Sequence, residues 1–174
     1  APRSVAVVGA SAKGMTPGRV ILRNLLAGQG SYHGHVYAVH PKEQEIDGVP
    51  CTRTIGDLPE RVDLAVVSVP AEGARDAIRE FVNLQKAHSI ILIPGGFAET
   101  GDRALADSII DAIENGRGQA DGGPVLCGGN CLGIVSKRQY NTFFLPEYKL
   151  PFRDAPGDNL AMVSQSGAYL VTFA

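Results

Sequence analysis

The sequence has few features suited to export, metal binding or membrane insertion. It contains three cysteines, Cys51, Cys127 and Cys131, which cannot all pair and form no CxxC motif. No apolar run approaches the roughly 18 to 20 residues that span a bilayer, and glycine interrupts the first apolar run before a signal core develops. We therefore expect a cytoplasmic protein with reduced cysteines, no metal site and no membrane contact.

The sequence also lacks a large excess of either positive or negative charge. The formal net charge is −2 at pH 7, so no overall field attracts nucleic acid, and local groups must hold any anionic ligand. Hydrophobic residues make up 44% and charged residues 20% of the 174 positions, which is ordinary for a globular chain. This composition favours a small-molecule site on one full domain, followed by the beginning of another.

A pattern of strand, glycine- or proline-bearing turn and helix repeats along the chain. The predicted strands cover 4–9, 35–40, 63–69, 89–93 and 124–127. Apolar residues at helical spacing follow at 18–27, 74–82 and 105–113. This alternation predicts a Rossmann-like α/β fold, a doubly wound parallel sheet whose ligands collect at the carboxyl ends of the strands.

The last forty residues predict a change of organisation. Residues 134–158 carry three prolines and no clear period, which indicates a connector packed on the surface. Residues 159–163 are predicted to form a new strand, followed by a turn and a helix. This helix is still apolar at the last residue and has no capping residue, which indicates that the chain continues. The predicted domains are 1–135, a connector over 136–158, and the truncated start of a second, flavodoxin-like α/β domain over 159–174.

Two turns bear on the ligand. The first, VGASAKGMTPGR, joins a strand to a helix, where backbone N–H groups and the helix dipole favour an anion such as pyrophosphate, although it could be only a tight turn. At the second strand end an NAD site usually has an acid, about 20 residues beyond the glycines. This chain has Lys42 there, which suits an extra ribose phosphate such as that of coenzyme A, unless Lys42 is simply solvated or offset by Glu43.

Six segments occur in an order that resembles a known family. They are VAVVGAS, VHPK, DLAVVSVPA, PGGFAETG, GGNCLGI and MVSQSG. Together they are similar to the CoA-binding domain of ADP-forming acyl-CoA synthetases, related to the succinyl-CoA synthetase α subunit. The resemblance runs from about Val5 to the last residue. One departure is Gly129, where the family usually has proline, which predicts a looser turn.

The resemblance implies a set of residues that bind coenzyme A. The first turn would wrap the phosphates, Lys42 would contact a phosphate or the adenosine end, and the later strand ends would line the adenine, ribose and pantetheine. The implied residues are Gly9, Ser11, Ala12, Lys13, Gly14, Lys42, Val69, Pro70, Ala71, Ile93, Pro94, Gly95 and Asn130. Glu99 is a candidate acid or base, but a role in capping the next helix ranks first.

The resemblance also implies a phosphate cradle at a second turn. Ser164, Ser166 and Gly167 would stabilise a transferring phosphoryl group at a helix N-terminus. The histidine that accepts the phosphate would lie beyond this sequence, because His33, His35, His40 and His88 stand in no matching motif. No catalytic residue is therefore expected in this chain. Cys131 is not expected to act as a nucleophile, because no histidine lies near it in the sequence and the family uses no thiol of its own.

The implied reaction is the formation of an acyl-CoA from a carboxylic acid, coenzyme A and ATP. The acid is activated as an acyl phosphate, and phosphate passes through the histidine. An ATP-grasp domain or subunit would bring ATP or ADP with Mg²⁺, in an oligomer, and this fragment alone would be inactive. The alternatives are the regulatory coenzyme A module of a protein acetyltransferase, an NAD(H)-binding domain, and a binding module attached to no enzyme.

Overall fold

The computed structural model describes residues 1–27, 32–97, 101, 103–136, 139–149 and 161–173. The described strands are β1 (Ser4–Val8), β2 (His35–Val39), β3 (Glu45–Ile46), β4 (Val49–Thr52), β5 (Val62–Val67), β6 (Ala87–Leu92), β7 (Val125–Gly128), β8 (Val135–Ser136) and β9 (Tyr140–Asn141). The described α-helices are α1 (Pro17–Ala27), α2 (Ala71–Asn83), α3 (Arg103–Arg117) and α4 (Gly167–Phe173). A short 3-10 helix covers Glu147–Lys149.

Seven of the described strands form one sheet in the order β3-β4-β2-β1-β5-β6-β7. All neighbouring pairs run parallel except β3 and β4. The chain moves outward from β1 through β2 on one side, then returns to pair β5 with the other side of β1. The prediction of a doubly wound parallel sheet is confirmed, and its topological switch point lies between β1 and β5.

Helices cover both faces of the sheet, which explains why its strands are apolar on both sides. Side chains of β1 alternate between the faces because the side-chain period of a strand is two. Ala6 and Val8 pack in the cluster beneath α2 and α3, whereas Val5 and Val7 pack beneath α1. All four are buried, so β1 forms the centre of the domain.

Two short hairpins were not expected. β3 and β4 form an antiparallel pair around Asp47 and Gly48, with β4 extending the parallel sheet beside β2. β8 and β9 form a separate two-stranded sheet inside the segment predicted to be a surface connector. That segment is also partly buried, since Thr142 is 0% and Phe143 2% exposed.

The predicted strand at 159–163 is wrong over the residues that can be compared. Positions 159 and 160 lie outside the described residues, and Ala161–Val163 form no strand. Val163 is fully exposed. In the described part of the chain no strand pairs with this segment, and an isolated strand leaves its backbone hydrogen bonds unmade. The helix predicted after it is present as α4.

No helix among the described residues is both long and apolar enough to cross a membrane. The same residues contain no group of three or more His, Cys, Asp or Glu side chains arranged to hold a metal ion.

Candidate functional site

The residues predicted to bind coenzyme A lie along the edge of the sheet formed by the carboxyl ends of its parallel strands. Parallel pairing aligns the carboxyl ends of β1, β2, β5, β6 and β7. The segments that follow these strands carry the predicted residues in the order Gly9 to Gly14, Lys42, Val69 to Ala71, Ile93 to Gly95 and Asn130. This edge is where an open α/β sheet binds its ligand.

Two glycines bring backbone segments close together at the switch point. Gly9 has φ +99°, and a Cβ there would lie 2.8 Å from Val69 Cγ1 and 2.9 Å from the Ser68 carbonyl carbon. A Cβ on Gly18, in the first turn of α1, would lie 2.5 Å from Ser68 Oγ and 2.7 Å from Ala10 N. The amino end of α1 therefore packs directly on the ends of β1 and β5. The sequence prediction did not include Gly18 or Ser68, although the spacing Gly9, Gly14, Gly18 was available as a signal.

The turn from Gly9 to Thr16 is stabilised by its own side chains. Ser11 Oγ accepts a hydrogen bond from Lys13 N at 3.1 Å and donates one to Lys13 O at 3.0 Å. Thr16 Oγ1 accepts from Arg19 N at 3.4 Å, as a helix N-cap residue does. Gly14 has φ +70°, and a Cβ there would meet no atom within 4 Å, so the turn is open on that side.

Arg19, in the first turn of α1, holds the Gly9 to Thr16 turn through hydrogen bonds to its backbone. The sequence prediction did not include this residue. Its Nη1 donates to the carbonyl oxygens of Ala12 at 2.8 Å and Gly14 at 3.2 Å. Its Nε and Nη2 donate to Asp47 Oδ2 at 2.8 Å and Oδ1 at 2.7 Å, a bidentate pair. Arg23 Nε also donates to Asp47 Oδ2, at 2.9 Å. Hydrogen bonds from Arg19 and then Arg23 hold the pKa of Asp47 well below its ordinary range.

The end of β2 has a cation where NAD sites carry an acid. His40 Nδ1 accepts backbone hydrogen bonds from Lys42 N at 3.2 Å and Glu43 N at 2.9 Å, so the imidazole closes this turn. Lys42 is exposed. Across the described ranges, neither Lys42 nor Lys13 forms a salt bridge. Lys13 and Lys42, which follow the neighbouring strands β1 and β2, are therefore two exposed cations that can contact an anion.

The loops after β5, β6 and β7 contact one another. A Cβ on Gly96 would lie 3.5 Å from Ala71 Cβ, and Asn130 N donates to Pro94 O at 2.8 Å. Ile93 is only 7% exposed and packs in the core beneath α1, which leaves its backbone at the edge. These contacts make the edge continuous from the switch point to β7.

The space beside Gly129 is taken by an aromatic ring. A Cβ on Gly129 would lie 2.7 Å from Phe97 Cε2 and 3.0 Å from Pro94 O. The Phe97 ring therefore packs closely against the backbone of Gly129. Glu99, the other candidate from this region, lies outside the described residues.

The second predicted turn repeats the geometry of the first. Ser164 Oγ accepts from Ser166 N at 3.1 Å and donates to Ser166 O at 3.1 Å, as Ser11 does with Lys13. Ser166 Oγ then accepts from Tyr169 N at 3.3 Å at the start of α4. A Cβ on Gly167 would lie 2.7 Å from Leu132 Cδ1, so this turn lies against the loop that contains Asn130.

Among the described residues, the Cys127 and Cys131 thiols are neighbours near the carboxyl ends of the strands. Partial burial raises the pKa of the Cys127 thiol, and the neighbouring Cys131 thiol raises it further. His35 lies at the opposite edge of the sheet, where its Nδ1 is 3.1 Å from Glu60 Oε1. An open cleft at that opposite edge is lined by Arg3, Tyr32, His33, His35 and Gln139, among others. It lies at the amino ends of β1 and β2, away from the turns described above.

Comparison with known proteins identifies the family. The model of a family described as "CoA binding domain" matches residues 3–137. This chain therefore belongs to the CoA-binding domain family, and the predicted resemblance is confirmed.

The relatives are acyl-CoA-forming enzymes. The ADP-forming acetate–CoA ligase I of Archaeoglobus fulgidus is 34% identical over 174 residues, which cover 98% of this chain and 23% of the relative. Trans-feruloyl-CoA synthase FCS1, from an unknown prokaryotic organism, is 31% identical over 176 residues, covering 99% of this chain and 24% of the relative.

A solved structure agrees with these relatives. The dinucleotide forming acetyl-coenzyme A synthetase 1 of Candidatus Korarchaeum cryptofilum, in complex with phosphate and ADP, is 30% identical with a TM-score of 0.83. The match covers 99% of this chain and 34% of that chain. The present chain thus spans about a quarter to a third of the length of these proteins.

Proposed function

We propose that this chain binds coenzyme A along the carboxyl edge of its sheet, as the CoA-binding portion of an ADP-forming acid–thiol ligase. The observation that carries the proposal is the turn from Gly9 to Thr16. It lies at the switch point, has an open side at Gly14, and has Lys13 exposed within it. Such a turn, next to a helix N-terminus, suits a pyrophosphate.

The residues at this edge fit a long, thin, phosphate-bearing ligand. Gly9, Ser11, Ala12, Lys13 and Gly14 would hold the pyrophosphate through backbone N–H groups and the lysine charge. Lys42 would hold the ribose phosphate. The segments Val69 to Ala71 and Ile93 to Gly95, with Asn130, would contact the remaining length of the coenzyme. Glycine and proline in these segments keep the backbone accessible, since few side chains intervene.

The residues at this edge fit NAD less well than coenzyme A. The adenine ribose of NAD usually pairs with an acid at the end of the second strand, and this chain has Lys42 there. Asp47 is the next aspartate along the chain, but Arg19 and Arg23 donate to both of its carboxylate oxygens. Asp47 therefore has little capacity left to accept hydrogen bonds from ribose hydroxyls.

The complete enzyme would activate a carboxylic acid as an acyl phosphate and transfer the acyl group to the coenzyme thiol. The phosphate-accepting histidine would lie outside this chain, and Ser164, Ser166 and Gly167 would cradle the phosphoryl group at the start of a second α/β domain. An ATP-grasp domain or partner subunit would supply ATP or ADP with Mg²⁺, in a cytoplasmic oligomer. The match to relatives over 98% of the chain, beyond residue 137, supports this second part of the proposal.

Isothermal titration of the chain with coenzyme A, dephospho-coenzyme A and NAD tests the proposal. We expect coenzyme A to bind and NAD to give no binding signal. Lys42→Ala should weaken the affinity for coenzyme A about tenfold, because a hydrogen bond to a charged group is worth about 1.5 to 3 kcal/mol. The affinity for dephospho-coenzyme A should not change. Arg117→Ala removes a matched exposed charge at the opposite edge and should change neither affinity. Preference for NAD would refute the proposal.

A further inference from the structure

One guanidinium group joins two segments of the proposed coenzyme site. Arg19 lies in the first turn of α1, and its side chain is only 18% exposed. It donates to the backbone of the first turn at Ala12 and Gly14 and to the carboxylate of Asp47. Asp47 stands at the tip of the β3–β4 hairpin, which begins three residues after Lys42. The Arg19 side chain therefore links the turn that would bind the pyrophosphate to the segment that carries Lys42.

We propose that Arg19, oriented by Asp47, is a positioning residue that holds the first turn in the shape required by the coenzyme pyrophosphate. This inference rests on the proposed function. Two of the four hydrogen bonds from Arg19 go to the carbonyl oxygens of Ala12 and Gly14, so these oxygens face the guanidinium rather than a bound anion. A carbonyl oxygen on the open side would repel a phosphate, whereas the N–H groups attract it.

The geometry requires arginine at position 19. A guanidinium has five N–H donors in a fixed planar fork, so it can bond one carboxylate in a bidentate manner and two carbonyls at once. Lysine has a single ammonium and cannot reach all four acceptors. Arg23 has a smaller role, because its side chain is 47% exposed and its contacts among the described residues are to Asp47 and Met15.

The test compares the two ligands that share a pyrophosphate. Because the first turn would bind the part common to both, Arg19→Lys and Asp47→Asn should weaken coenzyme A and dephospho-coenzyme A by the same factor, about tenfold, through lost preorganisation. Lys42→Ala should weaken only coenzyme A. A loss of equal size for both ligands separates a role at the pyrophosphate from one at the ribose phosphate.

Arg3 and Asp63 provide a matched control. They form a second bidentate pair, with Arg3 Nε 3.1 Å from Asp63 Oδ2 and Nη2 3.2 Å from Oδ1, at the opposite edge of the sheet. Asp63→Asn should lower the melting temperature but leave both affinities within twofold of the unaltered chain. All titrations are made well below the melting temperature of each variant, so that a purely structural loss does not weaken binding.

The outcomes separate this inference from the proposed function. Equal tenfold losses in Arg19→Lys and Asp47→Asn, with Asp63→Asn unaffected, support the inference. Lower melting temperatures with unchanged affinities would show that the Arg19–Asp47 pair is only structural and would overturn this inference alone. Absence of coenzyme binding by the unaltered chain would overturn both. If Asp47→Asn does not fold, Arg19→Lys decides the question, because it retains the charge.

Discussion

The first turn of α1 packs against the end of β5 at Gly18 and Ser68, where a Cβ on the glycine would lie 2.5 Å from the serine Oγ. The same Cβ would lie 2.7 Å from Ala10 N, so the strain cannot be relieved by moving one flexible side chain. We expect Gly18→Ala to lower the free energy of unfolding by about 1 to 3 kcal/mol, the usual range for overpacking. Urea titration monitored by circular dichroism measures this change.

Gly73→Ala is the control for that substitution. Gly73 lies in the first turn of α2, is exposed, and has its nearest neighbour, Val69 Cγ2, at an ordinary 3.4 Å from the added Cβ. Alanine should stabilise the helix there by about 0.5 to 1 kcal/mol. Equal stability of Gly18→Ala and the unaltered chain would show that α1 does not pack as closely on β5 as described.

Asn24 attaches the segment after β9 to α1. Its Nδ2 donates to the carbonyl oxygens of Phe143 at 2.8 Å and Leu145 at 2.9 Å, and the residue is 7% exposed. Asn24→Ala would leave carbonyl groups without their donor, which costs about 1 to 3 kcal/mol. Asn24→Asp should be worse, because a carboxylate would face two carbonyl oxygens. Unfolding in urea provides the measurement.

The matched control is Asn115→Ala, at an exposed position within α3. It should change the free energy of unfolding by less than about 0.5 kcal/mol. If Asn24→Ala were no more damaging than this control, the segment from Thr142 to Leu145 would not depend on α1 for its position.

The ionised Asp47 carboxylate should contribute to the free energy of unfolding, and this contribution should decrease at acidic pH. Hydrogen bonds from Arg19 and Arg23 lower the pKa of this carboxyl from its ordinary value of 3.8. A depressed folded-state pKa contributes stability that is fully present above the unfolded pKa and is lost as pH falls towards the folded value. The free energies of unfolding of the unaltered chain and Asp47→Asn should therefore differ most at neutral pH, and the difference should begin to shrink as pH falls below about 4.

Other carboxylates do not obscure this comparison. The pKa of Asp63 is lowered by its hydrogen bond from Arg3, and that of Glu60 by hydrogen bonds from His35 and Tyr37. Both are present in the two proteins, so their contributions cancel in the difference. A difference that stays constant from pH 7 to pH 3 would show that Asp47 does not act through its charge.

The general fold can be read from the sequence, because the signals are local. Buried runs such as 63–69 end at proline or glycine, and each is followed by apolar residues at helical spacing. The β3–β4 hairpin was also within reach, since Asp47-Gly48 between Ile46 and Val49 is a recognised hairpin turn signal. The strand predicted over 159–163 is absent at 161–163, where the comparison can be made, and this shows the limit of such patterns, because an apolar run forms a strand only where a partner is available.

The contact between Arg19 and Asp47, which holds the first turn, could not be predicted from the sequence in the same way. Arg19 and Asp47 lie 28 positions apart, and nothing local to either indicates that they meet. Their contact depends on β4 pairing beside β2, which brings the hairpin tip to α1. Turn glycines are visible because backbone conformation restricts the residue type, whereas a long-range ion pair leaves no such local trace.

Mapping the coenzyme by amide chemical shifts tests the central claim most directly. In a ¹H–¹⁵N spectrum of the chain titrated with coenzyme A, we expect the largest shifts at Gly9, Lys13, Gly14, Lys42 and Asn130. Tyr32, His33 and Gln139, which line the cleft at the opposite edge, should not move. Shifts confined to that cleft, or none at a saturating concentration of coenzyme A, would contradict the assignment of the site to the carboxyl edge of the sheet.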